Sequence, residues 1–177
     1  MSPEPERIRE LVLRARSGDE MAFGELVRSF EAAVLRLAAR ITGDPAEAED
    51  AAQEAFLRAY QALPRFDPDR PFGPWIMKIA ANRALTHAAH RRKDVPLDES
   101  APGPDFEKEQ ADKSEAERIK SAVAGMPPSD RAVLSLRYDS DLPLSEIART
   151  LGIGLSAVKV RLFRARQRLM RLMGTEG

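Results

Sequence analysis

Apolar residues recur every three to four positions along most of the chain, the spacing of one face of a helix. Ile8, Leu11, Val12 and Ala15 mark a first helix after Pro3 and Pro5. Ser17-Gly18-Asp19 breaks the pattern and offers a new cap. Phe23, Leu26, Val27 and Phe30 mark a second helix, and Val34, Leu37, Ala38 and Ile41 continue it across a possible bend. Thr42-Gly43 stops the run, with Gly43 suited to the left-handed position after a helix C-terminus. Asp44-Pro45-Ala46-Glu47 then gives a strong helix start: a capping carboxylate, a proline in the first turn and a glutamate placed for a capping box. That helix runs to Tyr60 or Leu63. Its Ala48, Ala51, Ala52, Ala55 and Ala59 form a narrow face that lets a neighbour come close, and Asp50, Gln53, Glu54 and Leu57 point the other way.

Residues 64–74, Pro-Arg-Phe-Asp-Pro-Asp-Arg-Pro-Phe-Gly-Pro, read as a stiff, aromatic, partly basic loop. Such loops commonly carry recognition. Trp75, Ile76, Ile79 and Ala80 open the next helix, which continues into His90-Arg-Arg-Lys. From Asp94 to Lys113 the chain is acidic and proline-containing with little periodicity, as expected of a linker. Ile119 and Val123 belong to the first short helix of a final module, and a second follows Met126-Pro127-Pro128. The residues between Leu144 and Leu151 form another, Gly152-Ile153-Gly154 a turn, and Ser156 is a candidate cap for a helix to about Met173. The fold class expected is all-α: two small helical domains joined by a flexible acidic linker, the C-terminal one a helix-turn-helix.

Length and composition fit this reading. The 177 residues suffice for one ordinary domain or two small ones, and aromatic content is only 6%. There is no cysteine, so disulfides, thiolate metal sites and cysteine nucleophiles are excluded. His87 and His90, the two histidines, have no carboxylate or thiol close by in sequence, a poor start for a metal site; solvated or phosphate-facing roles fit them better. No cofactor or metal is expected. The N-terminus lacks the charged and apolar regions of a secretory signal, and no apolar run is long enough to span a bilayer, so a cytoplasmic protein without membrane contact of its own is expected.

The 28 basic and 28 acidic residues sum to zero, but they are segregated. Residues 71–93 hold Lys78, Arg83, Arg91, Arg92 and Lys93 with no acid, and residues 156–173 hold Lys159, Arg161, Arg164, Arg166, Arg168 and Arg171 with no acid. Acid-free basic blocks are the footprint of phosphate contacts. In the last helix Val158, Leu162, Ala165 and Leu169 make the core stripe. The opposite face shows Ser156, Lys159, Val160, Phe163, Arg164 and Gln167, a set able to meet base edges in a major groove. Arg149, Arg161 and Arg168 suit phosphates.

These residues, in this order, resemble a family. Met126-Pro-Pro-Ser-Asp-Arg-Ala-Val-Leu-Ser-Leu-Arg-Tyr, Glu146-Ile-Ala-Arg-Thr-Leu-Gly and Ala157-Val-Lys-Val-Arg-Leu-Phe-Arg-Ala-Arg look like the C-terminal domain of bacterial extracytoplasmic-function sigma factors. Ala22-Phe-Gly-Glu-Leu-Val, Ala48-Glu-Asp-Ala-Ala-Gln-Glu-Ala-Phe-Leu-Arg-Ala-Tyr and Trp75-Ile-Met-Lys-Ile-Ala-Ala-Asn-Arg-Ala-Leu look like their N-terminal domain. The resemblance implies core RNA polymerase, promoter DNA and an anti-sigma factor as partners. It implies a polymerase-binding and −10-opening domain over 8–93, a linker over 94–115 and a −35-reading domain over 116–174. Carried onto this sequence, it gives polymerase docking to Asp50, Gln53, Glu54 and Leu57. It gives −10 DNA to Arg65, Phe66, Arg70, Phe72, Lys78, Asn82 and Arg83. To −35 DNA it gives Arg149, Ser156, Lys159, Val160, Arg161, Phe163 and Arg164. Thr86, Val160 and the stretch Gly154-Leu155-Ser156-Ala157 depart from the family's usual residues, which bears on base preference and not on fold. An autonomous helix-turn-helix regulator would leave the 50–60 helix and the aromatic loop without a role. An enzyme finds no phosphate loop, metal cluster or nucleophile with a base, and a protein-only adaptor does not need the two basic blocks.

Overall fold

The computed structural model describes residues 5–94 and 114–174. The expected acidic linker lies almost wholly outside them. The described residues are helical: α1 (Pro5–Arg16), α2 (Glu20–Thr42), α3 (Pro45–Ala62), α4 (Phe72–Asp94), α5 (Glu115–Ala124), α6 (Pro128–Tyr138), α7 (Leu144–Leu151) and α8 (Leu155–Leu172), with a 3₁₀ turn at Leu63–Arg65.

Local chemistry sets the boundaries. Asp19 caps α2 by accepting from the Ala22 amide at 3.0 Å. The two apolar runs belong to one helix, since α2 continues for 23 residues. It ends at Gly43, whose φ of 71° is costly for a residue with a Cβ. Asp44 accepts from Glu47 N at 3.1 Å and Pro45 sits in the first turn of α3. The Glu47 carboxylate, expected to complete a capping box there, reaches His87 of α4. Ser114 and Glu117 form a true capping box at the start of α5.

Two boundaries differ from the sequence reading. α4 begins at Phe72, inside the expected loop, because Pro74 falls within its first turn, where a missing N–H costs nothing. α8 is capped by Gly154 and begins at Leu155, so Ser156 lies inside its first turn and is not the cap.

The alanine face of α3 is buried, with Ala51, Ala55 and Ala59 fully so. This lets α2, α3 and α4 pack mutually, with α1 laid along α2. Leu26, Leu37, Ile41 and Ile76 fill the space between them, each contributing about 1.5–3 kcal/mol by burial. In the C-terminal module, Val133, Leu136, Ile147, Val158 and Ala165 are buried where α6, α7 and α8 meet. The two modules also touch: α6 packs on α2 and α7 on α4. One apolar cluster runs from Val12 and Leu26 through to Leu136 and Val158.

Candidate functional site

The helix-turn-helix is built as its sequence requires. α7 buries Ile147 and Thr150. Gly152 adopts φ 65° and returns its N–H to the Ala148 carbonyl. α8 then buries Val158, Leu162 and Ala165. This leaves Ser156, Lys159, Val160, Phe163 and Arg164 exposed on the opposite side, with Arg161 half-buried at its flank. Phe163 is 60% exposed and Val160 48%. Large apolar groups on a cationic face are costly in water unless they meet something. The first turn of α8 has no acid, so its unsatisfied amides face outward without a competing carboxylate. Arg149 is exposed and holds Glu146 at 2.5 Å, a surface pair that costs little to exchange for a phosphate. Arg168 corrects the sequence reading. It bonds Asp130 of α6, whose side chain is only 12% exposed, and so ties α8 to its own module instead of gripping phosphate. Arg166 lies over the Tyr138 ring, 5.5 Å from its centroid.

On α3, Asp50 and Gln53 are exposed and Leu57 is 63% exposed. Beside them runs a groove of about 590 Å³ between α2 and α3, floored by Phe23, Val27, Ala52 and Phe56 and edged by Leu35, Tyr60, Glu31 and Glu49. The α2 side of this surface was missed in sequence. Its signal was present: Leu35 lies off the buried stripe of α2 yet is apolar.

Glu54 differs from its neighbours. It accepts from Arg58 Nε at 2.9 Å and from Arg83 Nη1 at 3.3 Å, and it is bonded to His87 Nε2 at 3.1 Å. These partners, Arg58 first, hold its carboxyl at about 2. Glu54 is therefore a tie between α3 and α4 more than a free docking group. His87 is also bonded through Nδ1 to Glu47 at 2.8 Å. Burial draws its pKa down, but the bonds to Glu47 and Glu54 outweigh that, and the net shift is upward. The carboxylates invisible in local sequence thus come from the facing helix. His87 is neither solvated nor phosphate-facing.

The segment between α3 and α4 also divides by burial. Arg65 and Arg70 are exposed. Phe66 and Phe72 are 6% and 2% exposed, in a cluster with Trp75 and Phe30. Phe66 lies 4.4 Å from Trp75 and Phe72 5.3 Å from Phe30, centroid to centroid. Their rings are core and cannot stack on bases as placed, which corrects the sequence reading; they pin the loop instead. Arg9 of α1 holds the loop's Asp69 at 2.8 Å. Lys78 is exposed, and Asn82 and Arg83 are half-buried. Asn82 and Arg83, with Arg58, Gln61 and Arg65, border a shallow depression of about 420 Å³ rich in guanidinium and amide groups. Arg58 and Gln61 were not expected there, because only folding brings the outer end of α3 beside α4.

Family models match the chain in two places: Sigma-70 region 2 over residues 26–94 and Sigma-70 region 4 over residues 116–169. The chain is 31% identical to the extracytoplasmic-function sigma factor SigW of Bacillus subtilis, covering 92% of this chain and 94% of that protein. The chain belongs to the extracytoplasmic-function sigma factors. Members are transcription initiation factors and not enzymes. This sigma factor is also 32% identical to CnrH of Cupriavidus metallidurans over 99% of the chain and 98% of that protein. Its fold matches CnrH in complex with the cytosolic domain of CnrY, with a TM-score of 0.71, 28% identity and coverage of 97% and 99%. A sigma factor RpoE from Bartonella quintana, solved with the anti-sigma factor NepR, shares the fold at a TM-score of 0.68 and 20% identity, over 88% of this chain and 98% of that one. Among the described residues of this sigma factor, no helix is long and apolar enough to cross a membrane.

Proposed function

We propose that this sigma factor binds core RNA polymerase through α3 and directs initiation at promoters with −10 and −35 elements. The observation that carries this is the outward face of α8, where Ser156, Lys159, Val160, Phe163 and Arg164 stand exposed behind a helix-turn-helix core. A base-reading set of cations, a hydroxyl and apolar groups on one helix face suits the −35 major groove, with Arg149 and Arg161 on flanking phosphates.

Residues 8–93 act as the polymerase and −10 unit, 94–115 as the connection and 116–174 as the −35 unit. Asp50, Gln53 and Leu57, with the apolar groove beside them, meet a basic, partly apolar helical surface of the polymerase. Glu54 acts behind them by fixing α3 to α4. Arg65, Arg70, Lys78, Asn82 and Arg83 hold the −10 strands. Phe66 and Phe72 keep the Arg65 and Arg70 backbone in place. The solved complexes of CnrH and of the Bartonella RpoE support control of this chain by an anti-sigma factor that competes for these faces.

Gel filtration of the protein with and without bacterial core polymerase tests the reading. Co-elution at the polymerase position is expected. Separate elution combined with tight binding to DNA alone would replace it with an autonomous regulator.

A further inference from the structure

The segment between α3 and α4 that carries Arg65 and Arg70 is held from two sides. From inside, Leu63, Phe66 and Phe72 are buried. From outside it is held by α1. That helix precedes residue 26, where the match to Sigma-70 region 2 begins, and it holds none of the residues assigned above to polymerase or DNA. It buries Ile8, Leu11, Val12 and Ala15, and it packs on the 3₁₀ turn Leu63–Arg65 as well as on α2. Arg9 and Arg16 are two helical turns apart, so they share one side of α1. Both reach the segment. Arg16 Nη2 donates to the Pro64 carbonyl at 3.3 Å, and Arg9 Nη2 donates to Asp69 Oδ1 at 2.8 Å. One meets the start of the segment and the other its far turn. The other two arginines of α1 are engaged elsewhere, Arg7 with Glu25 and Arg14 with Asp19.

The far turn has its own bonds. Asp69 N donates to Asp67 Oδ1 and Arg70 N to the Asp67 carbonyl, each at 3.0 Å. Asp67 Oδ2 also lies 3.7 Å from Arg70 Nε. Two carboxylates therefore flank a cation that is to meet a phosphate. A carboxylate without a counter-charge would repel the strand. Arg9 supplies that counter-charge to Asp69 and anchors the turn with the same bond.

We propose that α1 is a brace for the −10-facing segment, and that Arg9 and Arg16 are positioning residues that act through Arg65 and Arg70. This rests on the −10 role proposed above for those two arginines. Arg9 and Arg16 need not touch DNA themselves. Arg9 and Asp69 are 55% and 75% exposed, and the Arg16 bond is exposed too. Each contact therefore shifts an equilibrium by no more than about fivefold. The buried rings create the fold of the segment, and the brace narrows its motion.

Trp75 is the one tryptophan of the chain. It packs against Phe66 at 4.4 Å and Phe72 at 5.4 Å, so its fluorescence reports on the segment in the full-length protein. Arg9→Ala with Arg16→Ala should raise acrylamide quenching of Trp75 while circular dichroism shows unchanged helical content. The holoenzyme can be tested on genomic fragments selected by run-off transcription, with permanganate reading the opened thymines. The same pair should lower opening about fivefold and leave co-elution with polymerase unchanged. Asp69→Asn separates a brace from a direct contact. Were Arg9 itself on a phosphate, removing the acid beside it would strengthen opening. Under the brace, Asp69→Asn weakens opening as Arg9→Ala does, and combining the two does no further harm. Arg9→Lys, which keeps a cation for Asp69, should behave as wild type. Opening unchanged in the Arg9 and Arg16 variant, or strengthened by Asp69→Asn, would overturn the brace. A wild-type holoenzyme that opens no fragment would instead remove the −10 role, while quenching still decides whether α1 holds the segment, so the two failures are distinct.

Discussion

At the residue scale, His87 is the most informative side chain. Its two ring nitrogens face two carboxylates, Glu47 at 2.8 Å and Glu54 at 3.1 Å. Both nitrogens can donate only in the imidazolium form, which agrees with its raised pKa. A raised histidine contributes stability that is fully present below its unfolded value, about 6.5, and lost as pH rises through the folded value. Glu54, held at about 2, contributes in the opposite sense: its part is present above about 4.5 and is lost as pH falls toward 2. The tie between α3 and α4 is thus strongest from about pH 5 to 6.5. Denaturant unfolding should show stability falling as pH rises above about 6.5, and His87→Gln should flatten that slope. Because these groups remain partly open to water, the effect should stay below about 1 kcal/mol. An unchanged slope in the variant would assign the pH dependence elsewhere. The neighbouring acids in sequence, Glu49 and Asp50, gave no hint of this tie; it is made by residues 33 and 40 positions away, visible only once α3 and α4 lie side by side.

At the scale of elements, function divides by helix face. Lys159→Ala with Arg164→Ala removes two cations from the outward side of α8 without touching its buried Val158, Leu162 and Ala165. Base-reading contacts are worth about 1–3 kcal/mol each. The pair should reduce −35-dependent transcription at least tenfold while polymerase binding, measured by co-elution, stays intact. Asp50→Lys with Leu57→Ala attacks α3 from outside and should do the reverse, weakening polymerase association with little change in helical content. The inner face of α3 is a packing matter: Ala55 is fully buried, and Ala55→Leu should cost at least about 1–3 kcal/mol in thermal or denaturant unfolding by forcing α3 from its neighbours. Most of the elements were legible, since most helices carry an apolar period and α2 and α3 begin at a capping aspartate. What misled were local signals with two readings. Pro74 resembles a loop residue but suits a first turn equally. Ser156 is a good cap in isolation, yet the chain leaves the Gly152 turn early enough for Gly154 to take that place. Phe66 and Phe72 look like exposed readers in a basic loop, but the hydrophobic gain from joining Phe30 and Trp75 is larger than any local preference. On α8 the outward side of the helix could be read from the chain, because one helix fixes which side chains face away from a core, but the pairing of Arg168 with Asp130 could not, since it depends on α6. The site residues between α3 and α4 depend on tertiary contact and could only be half anticipated.

At the scale of the whole molecule, the question is whether two modules behave as one. The C-terminal module described here is 61 residues, Ser114 to Gly174, a size at which a single core is marginal. It adds buried contact by laying α6 on α2 and α7 on α4, and one apolar cluster passes through both modules. If the seam between them holds in solution, the modules should unfold together, since loss of α2 would leave Arg131 without the Ile41 carbonyl that it bonds and part of α6 exposed. Differential scanning calorimetry of the intact protein should then show one transition whose calorimetric and van't Hoff enthalpies agree. Arg40→Glu breaks the pair of Arg40 with Asp139 at the outer edge of the seam, where no core side chain changes, and should separate or broaden the transition, with the lower-temperature part belonging to the smaller module. Two resolved transitions in the wild-type protein would mean that the modules are thermodynamically independent, and that the continuity of the core adds too little free energy to couple them.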